Sequence, residues 1–200
     1  MKKLIFWRED ILKIFRFFII LLIFTIFPSL LNASERWILD KNLSTIEFEL
    51  PVLLAKNVKG KFNSIEGFIE LDVSKKKNNK AIFSVQVDDL EMNYIKYKEL
   101  LLGSIFFDTL NFPKAVIDTK KFSYTNEKEA QLVVELTLKG RSEMVPLEIY
   151  VTRLAEELVQ IKSELIFSRT DFEIGVGKWS NTSILKDKVK LKTNLFLYRE

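Results

Sequence analysis

The chain has 200 residues and a formal net charge of +4, with 48% hydrophobic and 29% charged residues, 17 Phe, no Cys and no His. Without Cys it has no disulfide, thiolate zinc site, iron–sulfur cluster, lipidated cysteine or Cys nucleophile; without His it has no Ser-His-Asp triad, imidazole metal site or His acid/base. One domain fits this length, and the missing groups favour a binding protein over an enzyme.

The positive charge sits at the front. Residues 1–33 hold Lys2, Lys3, Arg8, Lys13 and Arg16 against Glu9 and Asp10, leaving 26 basic and 25 acidic groups in the rest. A nucleic-acid binder carries its basic excess in the folded part, so nucleic acid is not an expected partner. Behind the charged segment, Phe17–Phe27 is an apolar run broken by Pro28 and Ser29, and Asn32-Ala33-Ser34 supplies small residues. That order of positive, apolar and small regions predicts a signal peptide over 1–33, cleaved after Ala33, and export of the rest. The apolar run is short of the roughly 20 residues that a transmembrane helix needs, which leaves an uncleaved anchor as the competing reading. The exported part, 34–200, has to hold together by core packing alone.

From residue 35 onward, period-two alternation dominates and predicts half-buried strands. Ile46, Phe48 and Leu50 share one parity, as do Ala81, Phe83, Val85 and Val87. The series continues with Leu132–Leu138, Val145–Val151, Val159–Phe167 and Val189–Leu197, and further strands are expected at 65–73 and 115–124. Tyr94–Phe107 breaks the pattern with helical spacing and Gly103 near its end, and 52–58 is a candidate second short crossing. About eight strands with one apolar face, joined by short polar turns, make an all-β domain. An eight-stranded antiparallel barrel removes the exposed edges, with a two-sheet sandwich as the alternative. Gly175-Val176-Gly177-Lys178 lacks the flanking pattern of a phosphate loop, and Asp88, Asp89 and Glu91 lack calcium-loop spacing. Both are read as turns, and neither metal nor cofactor is expected.

Five segments in order carry a resemblance. They are Trp37-Ile38-Leu39-Asp40 with Ser44–Phe48, Val58-Lys59-Gly60-Lys61-Phe62 with Glu66-Gly67, Leu102–Asp108 through Phe112-Pro113, Leu136–Ser142, and Ser168-Arg169-Thr170-Asp171-Phe172. Together they resemble the YceI-like proteins across 37–172. The resemblance implies a lipocalin-like barrel whose interior holds a polyisoprenoid or similar long amphiphile, usually periplasmic and often a homodimer. Two positions depart from that family's pattern: Lys139 stands where His is frequent, and Glu173 where Gly is common.

Parity nominates an interior ligand-binding lining of Phe48, Phe83, Val85, Val87, Ile117, Val134, Leu136, Leu147, Ile149, Leu165 and Phe167. Arg169 continues the parity of Leu165 and Phe167. It is expected either to meet a ligand's polar head or to pair with Asp171 or Asp108. Phe106, Phe107, Phe172 and Trp179 are expected to cover or plug one end. The expected function is a non-catalytic carrier of a polyisoprenoid, isoprenoid quinone or fatty-acyl lipid, with transient membrane contact. A structural or stress-response barrel acting through its surface, and an enzyme acting on an isoprenoid lipid, are the alternatives.

Overall fold

The computed structural model describes residues 34–50, 58–74, 76–92 and 94–200. The expected leader, most of the 52–58 crossing and Lys75 lie outside them. The strands are β1 (Ser34–Leu39), β2 (Thr45–Leu50), β3 (Val58–Phe62), β4 (Ile65–Asp72), β5 (Lys80–Gln86) and β6 (Leu90–Met92). After the helix α1 (Ile95–Leu102) come β7 (Lys114–Asp118), β8 (Glu129–Leu138), β9 (Arg141–Ala155), β10 (Leu158–Ser168) and β11 (Lys188–Arg199).

Eleven segments amount to eight barrel strands. β1 pairs with the end of β11 (Leu39↔Leu197) and β2 with its start (Glu49↔Lys190), both antiparallel, so β1 and β2 run on as one interrupted strand. On the other side β4 pairs with β1 and β3 with β2, while β5 pairs with β4 and β6 with β3. The remaining neighbours follow chain order from β5 to β7 and on to β11, which closes on β1. The result is the expected closed, eight-stranded antiparallel barrel, with one short α-helix among the described residues.

The interruptions have local causes. Between β1 and β2, Asp40 Oδ1 accepts the amides of Asn42 and Leu43, while the Ser44 hydroxyl accepts the Phe196 amide at 2.9 Å and keeps the turn tied to β11. Between β5 and β6 a single turn of 3-10 helix, Val87–Asp89, intervenes, and its Val87 amide donates to Pro113 O.

All the loops follow from this direction of travel. At one end lie the short connections 73–79, 119–128 and 156–157. At the other lie the Lys139-Gly140 turn and the two long connections 93–113 and 169–187. The Lys139-Gly140 turn has positive φ at both residues (48° and 72°), the two-residue geometry that matches the twist of a hairpin.

Two expected elements are shorter than the pattern suggests. The strand expected at 115–124 stops at Asp118. There Lys120 takes φ 53°, Asp118 Oδ1 accepts the Lys120 amide, and Thr119 turns inward to bond both backbone groups of Ala81. Beyond it the fully buried Asn79 bridges the turn: its side chain donates to Phe122 O and accepts the Asp72 amide. The helix expected over Tyr94–Phe107 covers only Ile95–Leu102. Gly103 ends it, donating to Glu99 O and Leu100 O, and 103–112 continues as successive turns.

Candidate functional site

The barrel interior is mostly apolar, but it is not uniformly filled. A cavity of about 80 Å³ lies in the half nearer the long loops; a single water needs only about 10–15 Å³. Among the described residues that line it, Arg169 is the only one with a polar side chain.

Phe48, Phe83, Val85, Val87, Ile117, Leu136 and Phe167 face the cavity, together with Phe106, Phe107 and Arg169. Val134, Leu147, Ile149 and Leu165 do not. Val134, Leu147 and Leu165 point inward but lie deeper along the barrel, in the packed half, and Ile149 packs on that core partly buried. Phe172 is buried behind the wall, edge-on to Phe167 with ring centroids 5.4 Å apart. Trp179 backs Phe106 at 5.8 Å and does not reach the cavity. Phe106 and Phe107 therefore form the inner layer at the loop end, and Phe172 and Trp179 stand behind them.

Sequence reading overlooks other lining residues. Ile46, Leu50, Leu138, Val189 and Leu191 continue the parity of nominated neighbours, so their signal was present. Leu101 and Ile174 come from α1 and the 169–187 loop, where no strand parity exists.

Two of the inward rings have room because the facing residue is Gly. Phe48 sits opposite Gly60 in the β2–β3 ladder, and Phe83 opposite Gly67 in β4–β5. A Cβ at either glycine would overlap the facing ring. Glycine here is required by close approach, not by backbone angle.

Arg169 pairs with neither Asp171 nor Asp108. It is 0% exposed, and all five of its N–H donors end on backbone carbonyls. Nε donates to Lys186 O at 3.0 Å; Nη1 to Ile174 O at 2.7 Å and Gly175 O at 3.2 Å; Nη2 to Trp179 O and Leu185 O, both at 2.8 Å. The countercharge acting on it is that of Asp187. Burial pushes its pKa below the usual arginine value, partly offset by Asp187. Its fork gathers the 174–186 loop into a cap, and no donor is left for a ligand.

Asp187 supports the same cap. Its backbone carbonyl accepts the Arg169 amide, and its Oδ1 accepts the Thr170 hydroxyl at 2.7 Å and the Thr170 amide at 3.2 Å. Partial burial raises its pKa, but the bonds from Thr170 and Ser168 and the charge of Lys188 outweigh this and hold it below the ordinary carboxylate value. A carboxyl depressed in the folded state stabilises above its unfolded pKa, about 3.9, and loses that contribution as pH falls through the folded value. Asp187→Asn is therefore expected to lower the urea midpoint at pH 7 and to leave it unchanged at the acid end of the titration. A parallel deficit at every pH would show that the charge of Asp187 contributes nothing.

The two departures from the family pattern meet at this end. Lys139 Nζ donates to Ser104 O at 2.8 Å and Glu173 O at 3.0 Å, while Glu173 takes φ 53° and pairs with Arg141. They tie the β8–β9 turn to both long loops. The acidic residues near β6 are surface groups: Asp89 accepts from the Ser64 hydroxyl, and Glu91 pairs with Lys61.

Known structures share this architecture. The crystal structure of Burkholderia cenocepacia BcnA superposes with TM-score 0.72 at 22% identity, covering 79% of this chain and 98% of that one. A polyisoprenoid binding domain from Saccharophagus degradans, implicated in plant cell wall breakdown, gives TM-score 0.67 at 13% identity over 82% of this chain and 98% of its own. The Campylobacter jejuni YceI protein gives 0.63 at 20% identity, over 75% and 89%. No curated protein sequence matches the chain. A closed meander barrel with an apolar cavity under its long loops agrees with the family model for the YceI-like domain, which matches residues 37–197, and the chain belongs to that family.

Proposed function

We propose that the protein is a periplasmic carrier that holds the hydrocarbon part of a long amphiphile in the loop-end half of its barrel and does not transform it. The polyisoprenoid binding named for the Saccharophagus degradans neighbour supports this ligand class. The observation that carries the reading is the cavity wall itself: among the described residues its only polar side chain is Arg169, whose donors are already taken. Such a wall can hold a chain through burial, at roughly 0.8 kcal/mol per methylene before ordering costs. It presents no acid, base or nucleophile to a bound chain. Selectivity then rests on cavity length and width, with the head group outside the wall.

Residues 1–33 act, in this reading, as a cleaved export signal. Native mass spectrometry of protein taken from the periplasm tests both parts. The expected spectrum shows a polypeptide beginning at Ser34 and carrying one adduct of defined mass, identified as a lipid after organic extraction. A protein that is apo, and stays apo after incubation with prenols, isoprenoid quinones and fatty amides, overturns the carrier reading. An intact leader overturns cleavage alone and leaves the uncleaved anchor.

A further inference from the structure

The outer surface is uneven. Of the 16 large hydrophobic side chains exposed among the described residues, eight lie in the two long connections at the loop end. Leu110 is 97% exposed at the tip of the 108–112 turn, and Ile95 is 81% exposed at the start of α1. Tyr94 and Tyr97, edge-on at 5.7 Å, flank Ile95. Ile105 and Val176 meet where Ile105 O accepts the amides of Gly175 and Val176, so the two connections form one continuous cap.

Four lysines on this cap, Lys96, Lys98, Lys178 and Lys186, stand without an ion pair among the described residues. Of the five acidic groups at this end, Glu99, Asp108, Asp171, Glu173 and Asp187, only Glu173 is ion-paired among the described residues, with Arg141. With the Lys139–Arg141 turn and Lys188 counted in, seven unburied basic side chains (Lys96, Lys98, Lys139, Arg141, Lys178, Lys186 and Lys188) stand against them, a small basic excess. Protruding aliphatic tips, tyrosines beside them and free lysines around them are what an interfacial surface presents. The tips bury in the acyl boundary, the rings sit at head-group depth, and the ammonium groups stay at the anionic head groups. A protein partner would be met by a flatter apolar patch with fewer free lysines at its core.

We propose that the loop end of the barrel docks on an anionic lipid bilayer, with Leu110 and Ile95 inserted and Lys96, Lys98 and Lys178 at the head groups. Contact is peripheral: no helix among the described residues is long and apolar enough to cross a membrane. Docking needs nothing in the cavity. Its purpose rests on the carrier reading, since the same end holds Phe106, Phe107 and Ile174, which line the cavity, and would face it toward the bilayer.

The absence of cysteine gives a clean test. Leu110→Cys and Leu154→Cys in the exported protein each provide one attachment point for the environment-sensitive fluorophore NBD. Leu154 is exposed beside the opposite-end turn. Vesicles of phosphatidylcholine and phosphatidylglycerol in equal parts are expected to blue-shift the label at 110 and leave the label at 154 unchanged, with binding weakened by salt. Ile95→Glu with Leu110→Glu is expected to weaken binding on the order of tenfold or more, with the urea midpoint unchanged because both side chains are exposed. No shift at 110, equal shifts at both positions, or equal binding to pure phosphatidylcholine vesicles overturns the proposal. Because no ligand enters this assay, its failure leaves the adduct measurement standing, and an apo barrel leaves docking standing.

Discussion

Arg169→Leu is expected to destabilise the domain by about 3–5 kcal/mol. That is the scale for stripping a buried hydrogen-bonded charge from its partners and leaving carbonyls without donors. Five carbonyls lose their donor at once, and four of the five belong to the loop segment 174–185. Against a total stability of about 5–15 kcal/mol this is a large fraction, and in a domain of this size it lowers Tm by on the order of 10 °C. Arg169→Lys separates the two roles the residue could be given. Lysine keeps the charge but has three donors on a flexible stem and cannot fork across the loop. The clamp predicts that Arg169→Lys also loses most of the stability, read as a shifted urea midpoint. A head-group reader predicts the reverse, an unchanged midpoint with weakened lipid retention. A midpoint within error of the parent for Arg169→Lys would remove the clamp.

The same residue shows where sequence patterning stops. Alternation through Leu165 and Phe167 placed Arg169 on the inner face, because parity decides which side of a strand a residue takes. Parity says nothing about the partner. The carbonyls that fill Arg169's fork come from a stretch with no repeat, Ile174 to Lys186, whose path is set by the guanidinium itself. Depth along the barrel is similarly silent. Val134 and Leu136 share a strand and a face, yet Leu136 lines the cavity and Val134 packs below it. The space between them depends on α1 and the 169–187 loop, which close over the loop end.

Boundaries failed where a side chain competed for the backbone. Asp118 capturing the Lys120 amide, and Thr119 turning onto Ala81, end a strand that hydrophobic content alone would carry on to Tyr124. Short polar side chains bonding nearby backbone are the usual reason a periodic run ends early. Val58–Phe62 shows the opposite failure. Its inward position at 60 is Gly, so the apolar stripe thins there, although the strand pairs regularly on both sides. Family resemblance covered that gap, since Val58-Lys59-Gly60-Lys61-Phe62 was among the matching segments.

That glycine supports the second large expectation. Gly60→Ala is expected to abolish the lipid adduct and to destabilise by about 1–3 kcal/mol, the range for overfilling a packed interior. The new Cβ would overlap the Phe48 ring and stand 3.0 Å from Leu90 Cδ1, a side chain with no exposed surface to retreat into. Phe48 is held on another side by Phe62, with ring centroids 5.8 Å apart. The open direction for the ring is the cavity that both rings line, so relief of the clash consumes the volume a chain would occupy. Phe48→Leu removes the ring and should rescue part of the loss. The double variant is expected to be more stable than the sum of the two single changes by on the order of 1 kcal/mol, the coupling typical of residues in contact. Urea unfolding measures the coupling, and native mass spectrometry reads the adduct in all four proteins. If Gly60→Ala keeps both the parent midpoint and the parent adduct, the Phe48 ring has another way out and the glycine does not hold the cavity open. If it loses stability and keeps the adduct, the ligand lies elsewhere than beside Phe48, and the loop-end half of the barrel is not where the chain is carried.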